Sequence, residues 1–263
     1  MIGLSSYAFF WQHSERAAEP LDLAAMLRRT REFGVELFQI CDYAPLLGYS
    51  AAELRELRAL ADDLGIRLEL GTKGVAVEHL ASFLQLAEVL GCTLVRSMLF
   101  SVASRPSMAE AEGMLRAALP GYEASGVTLA LETYEQVPSA ELVSLIETVG
   151  SERLGICLDP ANTVAALENP REVVERCAPY VKNMHIKDFA FSRQDGWVGF
   201  TLAGAELGTG LLDYGHEMRT VDPEARAINR IVEHWLPWQG TFAETAARED
   251  AWTASTLKYM KEH

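Results

Sequence analysis

Short apolar runs alternate with amphipathic helical stretches along the whole chain. Most of the runs are too apolar for a sheet with one solvated face, a pattern typical of strands buried on both faces. The predicted strands are Ile2–Ser6, Val35–Ile40, Arg67–Gly71, Thr93–Met98, Val127–Glu132, Leu154–Asp159, Val181–Lys187 and Ile228–Trp235. Each of the first seven is followed by a region that contains a helical pattern, and a helical pattern also ends the chain.

The predicted helices have start and stop signals in the sequence. Ser50 with Glu53, and Ser107 with Glu110, have the spacing of capping boxes. Glycines follow several of the apolar helical stripes and precede a strand, as expected of helix C-caps: Gly34, Gly65, Gly91 and Gly126. Eight alternations without a flexible linker predict one (β/α)₈ TIM barrel, a single domain over residues 1–263.

The connection after the seventh predicted strand does not fit this alternation. It runs from Phe189 to Gly210 before the next helical pattern and is rich in glycine and aromatic residues, among them Trp197 and Phe200. Loops of that length in a compact domain are usually functional or disordered. The aromatic content favours an ordered flap over the barrel mouth, and an ordinary surface excursion is the alternative.

Charge and cysteine content limit the partners and the compartment. The chain has 37 acidic and 23 basic side chains, a formal net charge of −14. Such a surface repels phosphate backbones and anionic lipids, so no nucleic acid or membrane partner is expected. There is no signal peptide pattern and no apolar run long enough to cross a bilayer. Four widely spaced cysteines without a CxxC pair indicate free thiols and a cytoplasmic protein.

Four polar residues lie at the carboxyl ends of the last four predicted strands, where the active-site groups of such barrels lie. They are Glu132, Asp159, His185 and Glu233. Three carboxylates and an imidazole at one point would repel one another unless a cation lay among them. One hard divalent ion suits this donor set, with Mn²⁺ the first choice and Mg²⁺, Co²⁺ or Zn²⁺ the alternatives. Taken singly, each residue could instead be a helix cap, an ion-pair partner or a hydrogen-bonded core histidine.

Glu244 competes with Glu233 for the fourth ligand position. Thr241 and Glu244 have capping-box spacing, and an amphipathic helix follows them. We therefore assign Glu244 to the last helix and Glu233 to the metal.

Basic residues near the predicted mouth favour an anionic substrate. Lys73, Arg96 and Lys187 follow or end strands, and His185 and Lys187 should face the same side because strand side chains alternate. Three cations in an acidic protein suggest a carboxylate or a phosphate. The alternative is that each pairs with a neighbouring acid, for example Arg96 with Glu69. No P-loop is present, which favours a sugar acid.

Aromatic residues follow the first and eighth predicted strands. Tyr7 and Trp235 offer ring faces that suit the apolar face of a sugar. Aromatic residues at a barrel rim are as often plain packing, which is the alternative.

The order of Glu, Asp, His and Glu on the last four strands, with His185 inside an H-I-K-D-F motif, resembles the xylose isomerase-like TIM-barrel superfamily. That superfamily includes sugar phosphate isomerases/epimerases, ketose 3-epimerases, inosose dehydratases and endonuclease IV. The resemblance covers essentially the whole chain. With its motifs GICLDPAN, HIKDF and VEHW, the chain is similar to the sugar phosphate isomerases/epimerases, and it also resembles the 3-oxo-isoapionate decarboxylases.

The resemblance implies roles for the candidate residues. In ketose epimerases the ligands that match Glu132 and Glu233 also move the proton, one on each face of the substrate, while the metal stabilises the enediolate. Glu132 and Glu233 are therefore the expected catalytic residues. The epimerases have a histidine three residues after the strand-six aspartate, where this chain has Asn162. An amide can bind a substrate hydroxyl but cannot act as a base.

Two enzyme hypotheses follow from the resemblance. The first is a sugar isomerase/epimerase that acts on a small keto sugar or keto sugar acid through a metal-bound enediolate. The second is a lyase with the same core, which decarboxylates a 3-oxo sugar acid or dehydrates an inosose-like ketone.

Other classes of protein fit less well. A non-catalytic sugar-binding barrel would not need both Glu132 and Glu233. Endonuclease IV is set aside, because the chain is acidic and only one histidine converges on the site. Members of the superfamily often pair, so a homo-oligomer is expected by analogy, with the long connection after strand seven as a candidate contact.

Overall fold

The computed structural model describes residues 1–194, 196 and 198–263. Its strands are β1 (Ile2–Ser5), β2 (Leu37–Cys41), β3 (Arg67–Lys73), β4 (Leu94–Met98), β5 (Thr128–Glu132), β6 (Leu154–Leu158), β7 (Val181–Ile186), β8 (Asp188–Arg193), β9 (Phe200–Ala205) and β10 (Asn229–Val232). Its α-helices are α1 (Leu23–Glu32), α2 (Ala51–Leu64), α3 (Val77–Leu90), α4 (Met108–Ser125), α5 (Ser139–Val149), α6 (Pro160–Thr163), α7 (Pro170–Cys177), α8 (Tyr214–Val221) and α9 (Phe242–Glu262).

Strands β1 to β7 and β10 form a closed parallel barrel, which β1 completes by pairing with both β2 and β10. The predicted (β/α)₈ barrel is thereby confirmed. Some boundaries differ from the predicted ones: β3 continues to Lys73, and the eighth barrel strand ends at Val232. Residues 233–235, predicted to continue that strand, instead form the connection that leaves the carboxyl end of the barrel.

The long connection after β7 contains an antiparallel hairpin, β8–β9, that the sequence did not predict. Its base is held by Asp188, whose buried carboxylate accepts hydrogen bonds from four backbone N–H groups. Gly204 donates its N–H to the carbonyl of Trp235 at 3.1 Å, and a Cβ at position 204 would lie only 2.6 Å from that oxygen. A glycine is therefore needed where the hairpin meets the connection after β10. Trp197, counted among the aromatics of this segment, lies outside the described residues.

The predicted helix signals are present. Both capping boxes form at the starts of α2 and α4, and the glycines after α2, α3 and α4 adopt the left-handed conformation. Of the helices in the described ranges, none is both long and apolar enough to span a bilayer.

The barrel interior holds two clusters of polar side chains, all of them buried except Asp42 and Asn229, which are partly buried. The floor cluster lies toward the amino ends of the strands and comprises Gln39, Glu69, Asn183 and Asn229. The mouth cluster lies at the carboxyl ends and comprises Asp42, Arg96, Glu132, Asp159, Asn162, His185, Lys187 and Glu233. The larger apolar core fills the layer between the strands and the helices.

Candidate metal centre

The four predicted metal ligands converge. Glu132 ends β5, Asp159 follows β6, His185 lies in β7 and Glu233 follows β10, and all four are buried. One ligand atom from each lies within 4.8 Å of the others. The Nδ1 atom of His185 is 3.4 Å from Glu132 Oε1, 3.4 Å from Glu233 Oε1 and 3.8 Å from Asp159 Oδ2. Parallel strands bring their carboxyl ends together, so residues far apart in sequence meet at one point.

The hydrogen bonding of His185 tests whether these residues suit a metal ion. Its Nε2 lies 2.8 Å from Gln39 Oε1, an amide carbonyl that can only accept, so Nε2 carries the proton and donates it. The lone pair of Nδ1 then faces three carboxylates, and Nδ1 has no hydrogen-bond partner. Burial lowers the pKa of His185, but Glu233 and Glu132 outweigh burial and raise it. The space between Nδ1 of His185 and the carboxylates therefore favours a positive charge. The donor set therefore fits a divalent ion.

Cys41 gives a second set of converging donors, with His185 and Glu233. Its Sγ lies 2.9 Å from Gln39 Oε1, to which the thiol donates. Burial raises the pKa of the Cys41 thiol well above its usual value. Since metals bind the thiolate form, the carboxylate set is the better ligand set.

Lys187 lies beside the four ligands, on the same side of β7 as His185, as strand alternation predicted. Its Nζ is 2.7 Å from Asp159 Oδ2 and 3.2 Å from Glu233 Oε2, and it lies over the ring of Trp235 at 4.6 Å from the centroid. Burial lowers the pKa of Lys187, but the two carboxylates outweigh burial and raise it. The ammonium is therefore charged despite being buried.

Arg96 connects Glu132 to the opposite side of the mouth. Its Nε is 2.9 Å from Glu132 Oε2, and its Nη1 contacts Asp42 Oδ1 at 3.3 Å and the carbonyl of Thr72 at 2.9 Å. Burial raises the pKa of Glu132, but Arg96 above all outweighs it and the net pKa is lowered, so Glu132 is ionised. The alternative pairing of Arg96 with Glu69 is wrong, because Glu69 lies in the floor cluster and is bound there by amides.

Asp42 is a residue of the mouth that the sequence analysis missed. It accepts a hydrogen bond from Tyr7 OH at 2.9 Å and forms ion pairs with Lys73 at 3.2 Å and Arg96 at 3.3 Å. Its φ is +51°, in the left-handed region that aspartate adopts more readily than most other non-glycine residues. The signal was available, since Asp42 directly follows β2. It was missed because the predicted strand ended at Ile40, one residue before the end of β2, so that Asp42 did not directly follow a predicted strand.

Two further residues fix the orientation of the carboxylate ligands. Asn162 donates from Nδ2 to Glu132 Oε1 at 2.8 Å and to the carbonyl of Thr133 at 3.2 Å, whereas its Oδ1 has no partner. Ser5, which the sequence analysis did not consider, donates to Glu233 Oε1 at 3.1 Å. Each glutamate of the site is thus hydrogen-bonded by a neutral side chain and paired with a cation.

Glu244 and His234 lie away from the site. Glu244 is exposed at the start of α9, where its N–H and its carboxylate both contact the side chain of Thr241. His234 faces outward from the barrel and contacts Thr253 of α9 at 3.0 Å. Both placements are the ones predicted from capping-box spacing and strand alternation.

Comparisons with known proteins agree with this architecture. Residues 27–263 match the family model described as xylose isomerase-like TIM barrel. A 3-oxo-isoapionate decarboxylase of Pectobacterium atrosepticum is 53% identical over 259 residues, which cover 98% of this chain and 94% of that protein.

Solved structures show the same fold at low identity. D-psicose 3-epimerase of Clostridium cellulolyticum H10, in crystals with D-tagatose, superposes with a TM-score of 0.75 at 14% identity, over 99% of this chain and 98% of that one. A xylose isomerase-like TIM barrel protein of Mycobacterium smegmatis, in complex with magnesium, superposes with a TM-score of 0.71 at 18% identity, over 97% and 96% of the two chains. The predicted resemblance is confirmed: this chain belongs to the xylose isomerase-like TIM barrel family.

Proposed function

We propose that this protein is a divalent-metal-dependent lyase that decarboxylates a 3-oxo sugar acid, with 3-oxo-isoapionate as the first substrate to test. The observation that carries this proposal is the 53% identity, over 98% of the chain, to a protein named for that reaction. It is the second of the two enzyme hypotheses drawn from the sequence. The likeness to epimerase structures is at 14% identity and supports only the fold.

The charges at the mouth support a substrate with one carboxylate. Four carboxylates surround the mouth, those of Asp42, Glu132, Asp159 and Glu233, and they contact three cations, Lys73, Arg96 and Lys187. The excess of one negative charge becomes an excess of one positive charge when a divalent ion is present. A substrate carboxylate then brings the mouth, counted together with the partly exposed Lys73 at its rim, to neutrality, which is the least costly state where charges lie in a low-dielectric interior. A neutral ketose would leave that charge uncompensated.

The reaction itself makes different demands from epimerisation. In a 3-oxo acid the carbon–carboxylate bond breaks, its electron pair moves toward the ketone oxygen, and a proton later takes the place of carbon dioxide on the carbon. A bound divalent ion supplies positive charge for the negative charge that develops on oxygen. No base has to remove a proton from carbon first. An epimerase needs two carboxylates free to do so, one on each face.

The contacts of the two glutamates favour the lyase. Glu132 is held by Arg96 and Asn162, and Glu233 is held by Ser5 and Lys187. A carboxylate that is paired with a cation and hydrogen-bonded by a neutral donor is less basic and less free to reach a C–H bond, which epimerisation requires and decarboxylation does not. Lys187, positively charged beside both Asp159 and Glu233, would bind the substrate carboxylate or the developing oxyanion.

The test is proton NMR in D₂O with Mg²⁺, which is diamagnetic, on a panel of 3-oxo sugar acids and neutral ketoses. We expect carbon dioxide release from the acids, with one deuterium entering the carbon that loses it, and no release after chelation. Deuterium exchange next to a carbonyl without carbon loss would instead identify an isomerase or epimerase. Binding without either change would identify a sugar-binding barrel.

Glu132→Gln should remain folded and lose turnover, and full activity in that variant would contradict the proposal.

A further inference from the structure

The floor cluster is organised around one buried carboxylate, that of Glu69. It lies inside the barrel, is 2% exposed and has no cationic partner in the described structure. Its Oε2 accepts from Gln39 Nε2 at 3.0 Å and from Asn183 Nδ2 at 3.1 Å, and its Oε1 accepts from Asn229 Nδ2 at 2.7 Å. Three neutral amides thus surround one acid, an arrangement that fixes which way each amide faces.

The orientation of Gln39 follows from these contacts. Its Nε2 faces two acceptors, the carboxylate of Glu69 and Asn183 Oδ1 at 3.1 Å. If the amide were turned over, its carbonyl oxygen would face both acceptors, and two hydrogen bonds would be replaced by repulsion. The carbonyl of Gln39 is therefore held toward Nε2 of His185 and the thiol of Cys41.

The orientation of the Gln39 amide affects the metal centre through its hydrogen bond with His185. Because Gln39 Oε1 can only accept, the neutral imidazole carries its proton on Nε2 and offers the lone pair of Nδ1 to the mouth. The opposite tautomer would place a hydrogen on Nδ1, among the carboxylates, where it would block a metal ion. The tautomer of His185 is thus linked, through one amide, to a carboxylate on a different strand.

We propose that Glu69 is a positioning residue for the metal site: by fixing the Gln39 amide it selects the Nε2–H tautomer of His185 and so raises metal affinity. The inference rests on the metal dependence proposed above and goes beyond it, because Glu69 and Gln39 touch neither the metal ligand atoms nor the substrate space. Groups behind a metal-bound histidine commonly change metal affinity about 10- to 100-fold.

The test variant is Glu69→Gln, which preserves size and can still accept from one amide. A glutamine at position 69 offers both a donor and an acceptor, so either orientation of Gln39 can be satisfied and the tautomer is no longer selected. Two readouts apply. Nitrogen-15 NMR of labelled histidine, on metal-free protein at alkaline pH where the imidazole is neutral, reports the tautomer. Titration calorimetry with Mn²⁺ reports the affinity.

We expect wild-type His185 to be protonated on Nε2, and Glu69→Gln to show a mixture of tautomers. We also expect this variant to bind Mn²⁺ roughly tenfold more weakly or worse. Gln39→Met, which removes the acceptor itself, should weaken Mn²⁺ binding in the same direction. It also provides a test if Glu69→Gln does not fold.

A matched control is Glu249→Gln. Glu249 is also a buried glutamate that accepts N–H groups, from the backbone of Trp11 at 2.9 Å and of Gln12 at 3.2 Å, but it lies on α9 outside the barrel. Its substitution should leave the His185 signals and Mn²⁺ affinity unchanged. An effect of replacing any buried glutamate, rather than one of the floor cluster, would instead change the His185 signals or the Mn²⁺ affinity in both variants.

Several outcomes would overturn the proposal. Wild-type His185 protonated on Nδ1, or unchanged Mn²⁺ affinity in both Glu69→Gln and Gln39→Met, would each do so. A wild-type protein that does not bind Mn²⁺ would overturn the metal site and this inference together. The two proposals can also fail separately. If the wild-type protein releases no carbon dioxide but the variants still bind Mn²⁺ more weakly, the positioning role of Glu69 holds and only the decarboxylase proposal is rejected.

Discussion

The mouth and floor clusters lie in the same barrel and are both largely buried, yet they complete their hydrogen bonds differently. In the described structure, none of the four floor side chains has a buried polar atom without a hydrogen-bond partner, whereas five buried atoms of the mouth cluster have no such partner. These atoms are Arg96 Nε, Glu132 Oε2, Asp159 Oδ2, Asn162 Oδ1 and His185 Nδ1. The mouth carboxylates have cations nearby but lack well-directed hydrogen bonds at these positions.

This difference indicates that the floor cluster stabilises the fold, whereas the mouth cluster lowers the stability of the fold in exchange for a functional site. Buried polar groups that are fully hydrogen-bonded make a structure specific and stable, whereas partly satisfied ones cost free energy of folding. Binding sites are commonly destabilised in this way, and their neutral variants are often as stable as the wild type or more so. The two clusters should therefore respond in opposite ways to substitution.

The largest expected effect is that of Asp159→Asn in the mouth. Loss of one charged ligand should reduce kcat/KM for carbon dioxide release about 100- to 1,000-fold, as when one group that stabilises transition-state charge is removed. Burial raises the pKa of Asp159 despite Lys187, so ionising it opposes folding. The metal-free variant should therefore unfold at the same temperature as the metal-free wild type or higher. A clearly lower unfolding temperature, measured by calorimetry with chelator, would contradict the comparison.

Asn183→Leu in the floor should have the opposite profile. It removes the hydrogen bond from Asn183 to Glu69 and an acceptor for Gln39, and leaves buried polar groups unsatisfied. The free energy of unfolding should fall by about 3 kcal/mol. Urea denaturation of metal-free protein measures this. A loss below about 1 kcal/mol would show that the floor cluster does not carry stability in the way its complete hydrogen bonding indicates.

The mouth cluster was largely predictable from sequence, because strand ends meet in a barrel. Glu132, Asp159, His185 and Glu233 follow or end apolar runs, and that pattern alone brings them together. Asp42 follows the same rule and was missed only through an error of strand boundary. Lys187 was placed on the correct side by alternation, but its partners required the structure.

The floor cluster and the hairpin were not predictable in the same way. Glu69 and Gln39 are polar residues inside apolar strands, and no local pattern says whether such a residue faces the barrel interior or which distant residue it meets. In β8 and β9 the apolar side chains of Phe191 and Phe200 are largely exposed, so the pattern of one buried face is absent. The single domain over residues 1–263, the homo-oligomer and the cytoplasmic location stay predictions.

Glu249 tests whether pH-dependent stability arises outside both clusters. Burial raises the pKa of its carboxyl from an ordinary 4.5 to about 7. Between these two values the unfolded chain ionises while the folded chain stays protonated, so stability falls as pH rises from about 4.5 to 7. Relative to wild type, Glu249→Gln should therefore gain about 2 to 3 kcal/mol in unfolding free energy between pH 4.5 and pH 8. A constant difference across that range, measured by denaturant titration, would show that folding does not raise the pKa of Glu249.

The smallest expected effect is that of Lys73→Met at the rim of the mouth. The Lys73 side chain is 43% exposed and its Nζ is 3.2 Å from Asp42, so it can turn toward a substrate carboxylate at little cost. Because an exposed ion pair contributes about 1 kcal/mol or less, KM for a 3-oxo acid should rise no more than about fivefold, with kcat unchanged. The rise should shrink as salt is added, since exposed charges are screened.

The control for Lys73→Met is Lys182→Met, which removes an exposed cation near the amino end of β7, at the opposite end of the barrel. Both variants change the net charge equally, so a general field effect would raise KM in both. A rise confined to Lys73→Met would place the carboxylate of the substrate at the Asp42 side of the mouth. A fall in kcat with unchanged KM would instead mean that Lys73 acts through Asp42 and Arg96 on Glu132, and that the rim belongs with the buried mouth cluster.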